Sequence, residues 1–350
     1  MQYRPLGTSD ISVSLICLGT MTWGEQNSEA EGHRQIDMAL DHGVNFLDTA
    51  EMYPIPAREE TYGRTEQIIG SWLKKTGRRD DVVIATKVLG RSGFPYVRPD
   101  MDDGQCRLNA QQIRAAVDGS LKRLGTDVID LYQLHWPERP ANFFGRLRYK
   151  HKEDPDAIAI EETLEALADL VKEGKIRTIG FSNETAWGTM HALHLAEQKG
   201  LPRVQSVQNP YNLLNRSFEV AQAEVAMREK CGLLAYSPLA FGVLSGKYLD
   251  GHKPEGARLT LFGDKFPRYT SPRGVEATRR YVALAREHGL DPAQMANAFV
   301  NQQPFVTANI IGARTDDQLK AALETADMTL DRALLDRIDA IEDDLTFPCP

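Results

Sequence analysis

Short apolar runs alternate along the chain with longer stretches in which apolar residues recur at helical spacing. The short runs are rich in β-branched and aromatic residues and apolar on both faces, which is typical of parallel strands covered on both sides. Because strands that alternate with helices form parallel sheets, the pattern predicts an α/β fold. The eight predicted strands span residues 15–21, 44–50, 82–88, 128–135, 177–183, 203–209, 233–239 and 307–313.

Capping residues delimit several of the predicted helices. One helix is expected to begin at Asn109, a good N-cap residue, and to end at Gly125, a residue that tolerates the left-handed conformation of a helix end. A second is expected in "IEETLEALADLVKEG", with Gly174 past its end, and a third from Ser217 to Gly232. Further helices are predicted in "RTDDQLKAALETAD" and "TLDRALLDRIDAIED".

Eight strand–helix units in one chain favour closure into a (β/α)8 TIM barrel over an open doubly wound sheet. No G-x-G-x-x-G follows any predicted strand, so the open-sheet alternative lacks its phosphate-binding turn. Residues 1–14 predict a β-hairpin around Gly7–Asp10 that plugs the N-terminal end of the barrel. With no linker, repeat or low-complexity tract, residues 1–350 are expected to form a single domain. Long loops are predicted at its C-terminal face, at residues 89–108, 136–157 and 240–277.

Composition narrows the possible partners. A net charge of -8 and a pI near 5.6 argue against nucleic acid or an anionic membrane as the main partner. No stretch approaches 18 uninterrupted apolar residues, and the N-terminus lacks the layout of a signal peptide. The cysteines are far apart with no C-x-x-C, which fits a reducing compartment, with the cytoplasm as the expected location. They are Cys17, Cys106, Cys231 and Cys349.

No metal site is predicted. "HALH" places His191 and His194 three residues apart without a supporting carboxylate pattern, which is typical of an ordinary helix face. "DMDDG" at residues 100–104 resembles the start of a calcium loop but lacks the glutamate at its far end. "FGVLSGKY" has Phe241 and Tyr248 where a triphosphate-binding loop needs glycine and Ser/Thr, so it is not interpreted as one.

Polar residues collect at the C-terminal ends of the predicted strands, where barrel enzymes build their active sites. Strand two ends in Asp48 with Tyr53 beyond it, strand three ends in Lys87, and strand four ends in His135. A lysine ammonium beside a phenol favours the phenolate and is expected to lower the pKa of Tyr53 from its ordinary value of about 10. Asp48 would keep Lys87 charged, and His135 would orient a carbonyl oxygen. The set predicts proton donation to a developing alkoxide.

Eight segments stand in this order along the chain: "ICLGTM", "FLDTAEMY", "IATK", "DLYQLHWP", "GKIRTIGFSN", "QNPYN", "AYSPLAFGVLSGKY" and "IIGARTDDQL". With these segments the whole chain resembles the aldo-keto reductases, NADPH-dependent (β/α)8-barrel enzymes that interconvert carbonyls and alcohols. In detail the chain most resembles the branch that holds bacterial general reductases and voltage-gated potassium channel β subunits. The resemblance implies that Tyr53 is the proton donor, with Asp48, Lys87 and His135 as its partners, and that the substrate is a small carbonyl compound.

The same resemblance implies a site for NADP(H). Tyr236 would stack on the nicotinamide, and Arg258 and Arg314 would bind the adenosine 2′-phosphate, which favours NADPH over NADH. The residues implied at the nicotinamide half are Gly19, Thr20, Ser182, Asn183, Gln208 and Tyr236. Those implied at the pyrophosphate and adenosine half are Ser237, Leu239, Gly242, Lys247, Arg258, Gly312, Arg314 and Gln318.

The chain also departs from this branch. Ala321 and Ala322 stand where relatives often carry Glu and Asn, so the adenine is expected to be held less tightly or by other residues. "PIPAREETYGRTEQ" adds residues after Tyr53, and the loops 89–108 and 136–157 are unusually long, so the substrate cannot be borrowed from a relative. Trp23 and Trp136, with Phe143 and Phe144, are candidates for aromatic substrate walls, with ordinary packing as the alternative.

Two functions of different classes stay open at this point. The first is reduction of aldehydes or ketones with NADPH. The alternative is a cofactor-bound regulatory subunit that senses the redox state of the nicotinamide without significant turnover. A third possibility, isomerisation, would leave Tyr236, Lys247, Arg258 and Arg314 without a role. The sequence leaves open the natural carbonyl substrate and the oligomeric state.

Overall fold

Eight parallel strands close into a barrel in the computed structural model, which describes residues 1–350. Each strand pairs with its neighbour in chain order, and the last strand pairs back to the first through Asn309 opposite Ile16. The predicted (β/α)8 fold is therefore confirmed. The barrel strands are β3 Ile16–Gly19, β4 Phe46–Asp48, β5 Val83–Val88, β6 Ile129–Leu134, β7 Ile176–Ser182, β8 Val204–Pro210, β9 Gly232–Tyr236 and β10 Val306–Ile311.

A preceding hairpin of β1 (Tyr3–Pro5) and β2 (Ser12–Ser14) plugs the N-terminal end of this barrel. Its buried side chains Leu6, Ile11 and Val13 share one apolar cluster with residues of the barrel interior. Burial of these apolar surfaces closes the barrel on the side away from the polar strand ends. The hairpin expected around Gly7–Asp10 is confirmed.

Helices surround the barrel. They are α1 Glu29–Asp41, α2 Arg64–Thr76, α3 Ala110–Leu124, α4 Ile160–Lys172, α5 Ala186–Lys199, α6 Gln222–Glu229, α7 Arg258–Phe262, α8 Pro272–Glu287, α9 Pro292–Asn301, α10 Asp316–Leu323 and α11 Arg332–Asp344. As predicted, α3 is capped by Asn109, whose side chain accepts the Gln112 N–H at 2.9 Å, and ends at Gly125 in the left-handed conformation. No helix is both long and apolar enough to cross a lipid bilayer.

The helix expected from Ser217 to Gly232 is shorter than predicted. A 3-10 turn covers Ser217–Val220, and α6 begins only at Gln222 because Ala221 has a φ of -141°, far from the helical value near -63°. The helix ends at Lys230, which adopts a left-handed conformation with a φ of +51°.

Side chains alternate along each barrel strand, so residues two apart face the same side. Phe46, Ala85 and Leu131 fill the apolar interior together with the hairpin plug. Two residues further along their strands come Asp48, Lys87 and Gln133, all buried and polar. The barrel interior thus changes from an apolar layer to a polar layer at the C-terminal strand ends, where the long loops begin.

Three long loops cover this end, as predicted. The first two are joined by ion pairs, with Arg91 Nη1 at 2.7 Å from Asp154 and Arg107 Nε at 2.5 Å from Glu138. The third, after β9, contains several short helical turns and ends at Pro272, earlier than the expected residue 277, because Ser271 caps α8. The first two loops therefore hold each other in place above the polar layer.

Candidate active site

A cavity of about 1440 Å³ opens at the C-terminal ends of the strands. Asp48, Tyr53 and His135 line it, and Lys87 lies fully buried beside them. The structure thus brings together the four residues that the strand ends predicted. Every residue assigned to NADP(H) by resemblance, from Gly19 to Gln318, also lines this cavity.

The polar layer centres on an ion pair. Lys87 Nζ lies 2.7 Å from Asp48 Oδ2 and donates a second hydrogen bond to the Thr49 carbonyl, also at 2.7 Å. Burial opposes the charge of Lys87, but Asp48 and the nearby phenol of Tyr53 outweigh it, so the pKa of Lys87 lies above its ordinary value. Lys87 therefore stays protonated at neutral pH.

Asp48 has partners for both of its carboxylate oxygens. Oδ2 takes Lys87, while Oδ1 accepts the side-chain amides of Gln208 at 2.8 Å and Gln133 at 3.2 Å. Three barrel strands thus fix the carboxylate. Gln133 was not predicted from the sequence. Its position two residues before His135 on the same strand could have indicated that it faces the same side of the strand.

Tyr53 lies against Lys87, whose Nζ is 5.0 Å from the centroid of the phenol ring. Burial raises the pKa of Tyr53 above its ordinary value, and the opposing effects of Lys87 and Arg258 do not reverse this. The sequence-based expectation of a lowered pKa considered the lysine but not the loss of solvent, which destabilises a phenolate more strongly here. The phenol is consequently protonated at neutral pH.

His135 packs edge-on against Tyr53, with the ring centroids 5.7 Å apart. Burial, together with the charge of Lys87, lowers the pKa of His135 well below its ordinary value, so the imidazole is neutral at pH 7. Its buried Nδ1 has no hydrogen-bond partner. A neutral imidazole beside the phenol can direct its N–H at an oxygen atom held between the two rings.

A hydrogen-bonded chain runs across the neighbouring strand ends. Tyr236 donates its hydroxyl to Asn183 Oδ1 at 2.7 Å, and Asn183 in turn donates to the His135 carbonyl at 2.8 Å. Ser182 Oγ donates to the Gln208 carbonyl at 2.8 Å. The Gln208 amide group points at Asp48 in this arrangement, whereas the resemblance implies a contact with the carboxamide of the cofactor.

One part of the cavity lining is rich in cations. Lys247, Arg258 and Arg314 line it, and no carboxylate lies within 4.0 Å of their side-chain nitrogens. Burial and the neighbouring Arg258 lower the pKa of Lys247. Lys265 and Arg268 also line this part of the cavity. They were not predicted from the sequence, because they lie in a long loop and not at the end of a strand. Such a cluster is suited to phosphate groups.

The loop around Gly242 depends on the absence of a side chain. Gly242 has a φ of +90°, and a Cβ atom there would lie 2.9 Å from Lys247 Cε. A larger residue would be strained and would displace the lysine. Arg314 is held differently, with its backbone N–H donating to Gln318 Oε1 at 3.1 Å and its carbonyl accepting from Asn27 at 2.8 Å.

The two tryptophans proposed as substrate walls have different locations. Trp136 lines the cavity, packs on His135 with ring centroids 4.9 Å apart, and meets Phe144 edge-on. Trp23 does not line the cavity. Its fully buried ring packs on Gly32 of α1 and donates to Gln35 Oε1 at 3.0 Å, which places it in the core between helix and barrel. The expectation for Trp23 is corrected accordingly.

Comparison with known sequences shows which proteins this chain is similar to. A sequence model described as the Aldo/keto reductase family matches residues 15–343. The chain is 51% identical to "Protein tas" of Escherichia coli, over 100% of both chains. It is 34% identical to "Uncharacterized oxidoreductase YrpG" of Bacillus subtilis, over 100% of this chain and 97% of the relative. It is 30% identical to a "Putative voltage-gated potassium channel subunit beta" of Schizosaccharomyces pombe, over 97% and 92% of the two chains.

Proposed function

Because the chain belongs to the aldo/keto reductase family and is therefore an oxidoreductase, we propose that it reduces aldehydes or ketones to alcohols with NADPH. The observation that carries the proposal is the buried Asp48–Lys87 ion pair against Tyr53, at the floor of a large cavity. A buried ion pair destabilises a protein unless both partners are well hydrogen-bonded. This pair lies beside Tyr53, where its cation can stabilise the phenolate that proton donation leaves.

When bound in the cavity, NADPH would supply the hydride for this reaction. Tyr53 donates its proton to the carbonyl oxygen as negative charge develops there, and the raised pKa keeps that proton in place until then. Lys87 lies beside the ring and stabilises the phenolate left behind, while Asp48 holds the ammonium in position. Neutral His135 donates a hydrogen bond to the same oxygen and orients it.

The chain's own residues support a dinucleotide phosphate at the cation-rich side. Lys247, Arg258 and Arg314 have no carboxylate partners, and the glycine at position 242 lets the loop pack against Lys247. We assign the pyrophosphate to the loop that carries Lys247 and the adenosine 2′-phosphate to Arg258 and Arg314. With this assignment, we expect the protein to bind NADPH more tightly than NADH, which lacks the 2′-phosphate.

Replacing Arg314 by glutamine is expected to weaken NADPH binding by about 10- to 100-fold, because a charge-assisted hydrogen bond contributes about 1.5–3 kcal/mol. NADH lacks the 2′-phosphate, so its affinity should change by less than about twofold on the same reasoning. Fluorescence titration with both nucleotides measures the difference. Arg332→Gln, on the exposed face of α11, is the matched control. Equal losses for both nucleotides would show that Arg314 does not contact the 2′-phosphate.

The proposal is tested by following NADPH oxidation with a panel of aromatic, aliphatic and dicarbonyl compounds. Turnover establishes carbonyl reduction and begins to define the substrate. The similarity to relatives named as potassium channel β subunits favours one second candidate, a cofactor-bound regulatory subunit. Tight NADPH binding without turnover of any carbonyl would select that candidate instead.

A further inference from the structure

A buried carboxylate next to Tyr53 has no part in the mechanism above. Glu51 is fully buried two residues before Tyr53. Its Oε1 accepts the Leu89 N–H at 2.7 Å, and its Oε2 accepts Arg98 Nη1 at 2.8 Å and the Tyr62 hydroxyl at 3.2 Å. One side chain thus ties together the Tyr53 segment, the exit of β5, the first long loop and the residues inserted after Tyr53.

Arg98 brings the first long loop into this arrangement. It is 7% exposed, although it belongs to a loop, and its Nε donates to Gln112 Oε1 of α3 at 2.8 Å. The Gln112 amide also donates to Asp102 Oδ2 at 2.6 Å, so a second point of the loop is fixed on the same helix. The Glu51–Arg98 ion pair therefore adds a charged link between this loop and the segment that carries Tyr53.

Glu51 also binds the strand end that carries Lys87, the cation beside the proton donor Tyr53. Its backbone N–H donates to the Lys87 carbonyl at 3.2 Å, and its side chain holds Leu89, two residues beyond Lys87. The backbone and the side chain of Glu51 therefore both bind the C-terminal end of β5, and Tyr53 follows two residues later in the chain. A misplacement of a reacting group by about 1 Å can reduce a rate by about 100-fold.

We propose that Glu51 is a positioning residue for Tyr53 and that Arg98 maintains this position from the first long loop. The inference rests on the proposed function, since it names residues that set the geometry of the same proton transfer. It also gives the unusually long loop 89–108 a role. Phe94 of this loop lines the cavity. The loop that borders the expected substrate site is thus coupled to the position of the proton donor.

The test compares Glu51→Gln and Arg98→Met with wild type. Glutamine at position 51 keeps an acceptor for the Leu89 N–H but leaves Arg98 without its counter-charge. Methionine at position 98 keeps the Glu51 carboxylate but removes its counter-charge. Each variant is expected to lower kcat by about 10- to 100-fold while the Kd for NADPH stays within about twofold. Arg98→Lys, which restores the positive charge, should recover most of the lost kcat. Glu60→Gln, an exposed glutamate in the inserted residues, is the matched control.

A role in loop stability alone predicts a different result. Thermal unfolding and circular dichroism measure the folded fraction of each variant. If the role is stability alone, kcat calculated per folded molecule would equal the wild-type value. That outcome would overturn the proposal, as would a parallel loss of NADPH binding. Tyr62→Phe, which removes a single neutral hydrogen bond to Glu51, gives a milder variant if the charge changes prevent folding, and its kcat should fall by about twofold to fivefold.

A second measurement separates this inference from the proposed function. Tyrosine labelled with ¹³C at Cζ reports the surroundings of the Tyr53 phenol by NMR, and its signal is assigned by its loss in Tyr53→Phe. Glu51→Gln should shift that signal whether or not any carbonyl is turned over, whereas Glu60→Gln should not. An unshifted Tyr53 signal would contradict positioning by Glu51, and absent turnover in wild type would contradict the proposed function alone.

Discussion

Tyr53→Phe is expected to lower kcat for carbonyl reduction by about 100- to 10,000-fold, the contribution of a positioned general acid. Phenylalanine fills the same space against Lys87 and His135 but carries no proton to donate. Steady-state NADPH oxidation measures the loss. NADPH fluorescence titration is the control, and its Kd should stay within about twofold of wild type, since Tyr53 is not assigned a contact with the phosphates.

Retained activity in Tyr53→Phe would assign the proton donor to another group, with His135 the nearest alternative. The pH dependence supplies an independent check. Because burial raises the pKa of Tyr53, the phenol stays protonated through neutral pH, and the reduction rate should be flat there. The rate should fall only in strongly alkaline solution, as pH passes the raised pKa and the donor loses its proton. A fall near neutral pH would contradict this assignment.

Lys87→Met is expected to have the second-largest effect, on stability as well as activity. The substitution leaves the Asp48 carboxylate buried with two amide donors and no counter-charge. Removing one partner of a buried ion pair destabilises a protein by about 3–5 kcal/mol. The phenolate of Tyr53 also loses its stabilising cation, so kcat should fall by at least about 100-fold. Urea unfolding and NADPH oxidation measure the two effects.

The pH dependence of stability follows from the direction of the Lys87 shift. Its pKa is raised in the folded protein, so its stabilising effect is complete below the ordinary lysine pKa and is lost as pH rises through the raised value. Wild type and Lys87→Met should therefore differ by a constant free energy of unfolding at neutral pH. Lys122→Met, on the exposed face of α3, is the control. If Lys87→Met lowers the free energy of unfolding no more than Lys122→Met does, the Asp48–Lys87 ion pair contributes little to stability.

The arrangement of the four central residues could be predicted because it depends on strand ends. Asp48, Lys87 and His135 end buried strands, and parallel strands bring their C-terminal ends to one face of a barrel. Gln133 follows the same rule but was hidden inside an apolar strand pattern. The hairpin plug was likewise predictable, since Gly7–Asp10 separates two short strand patterns.

What the sequence could not supply is burial and side-chain direction. The sign of the Tyr53 pKa shift depends on how much solvent the fold excludes, which no local pattern reports. Trp23 stands near a strand end but turns into the core because Gly32 of α1 leaves room for its ring. The Glu51–Arg98 ion pair joins residues 47 positions apart through a loop without regular structure, so no periodicity could indicate it.

We propose hydride transfer from NADPH to a carbonyl carbon, with Tyr53 supplying the proton. The most direct measurement uses NADPH deuterated at the transferred position of the nicotinamide, with a carbonyl substrate from the panel, followed by mass spectrometry of the product. We expect an alcohol carrying one deuterium on the former carbonyl carbon, formed by wild type and formed at least about 100-fold more slowly by Tyr53→Phe. NADPH that binds tightly but transfers no deuterium to any carbonyl compound would contradict the proposal.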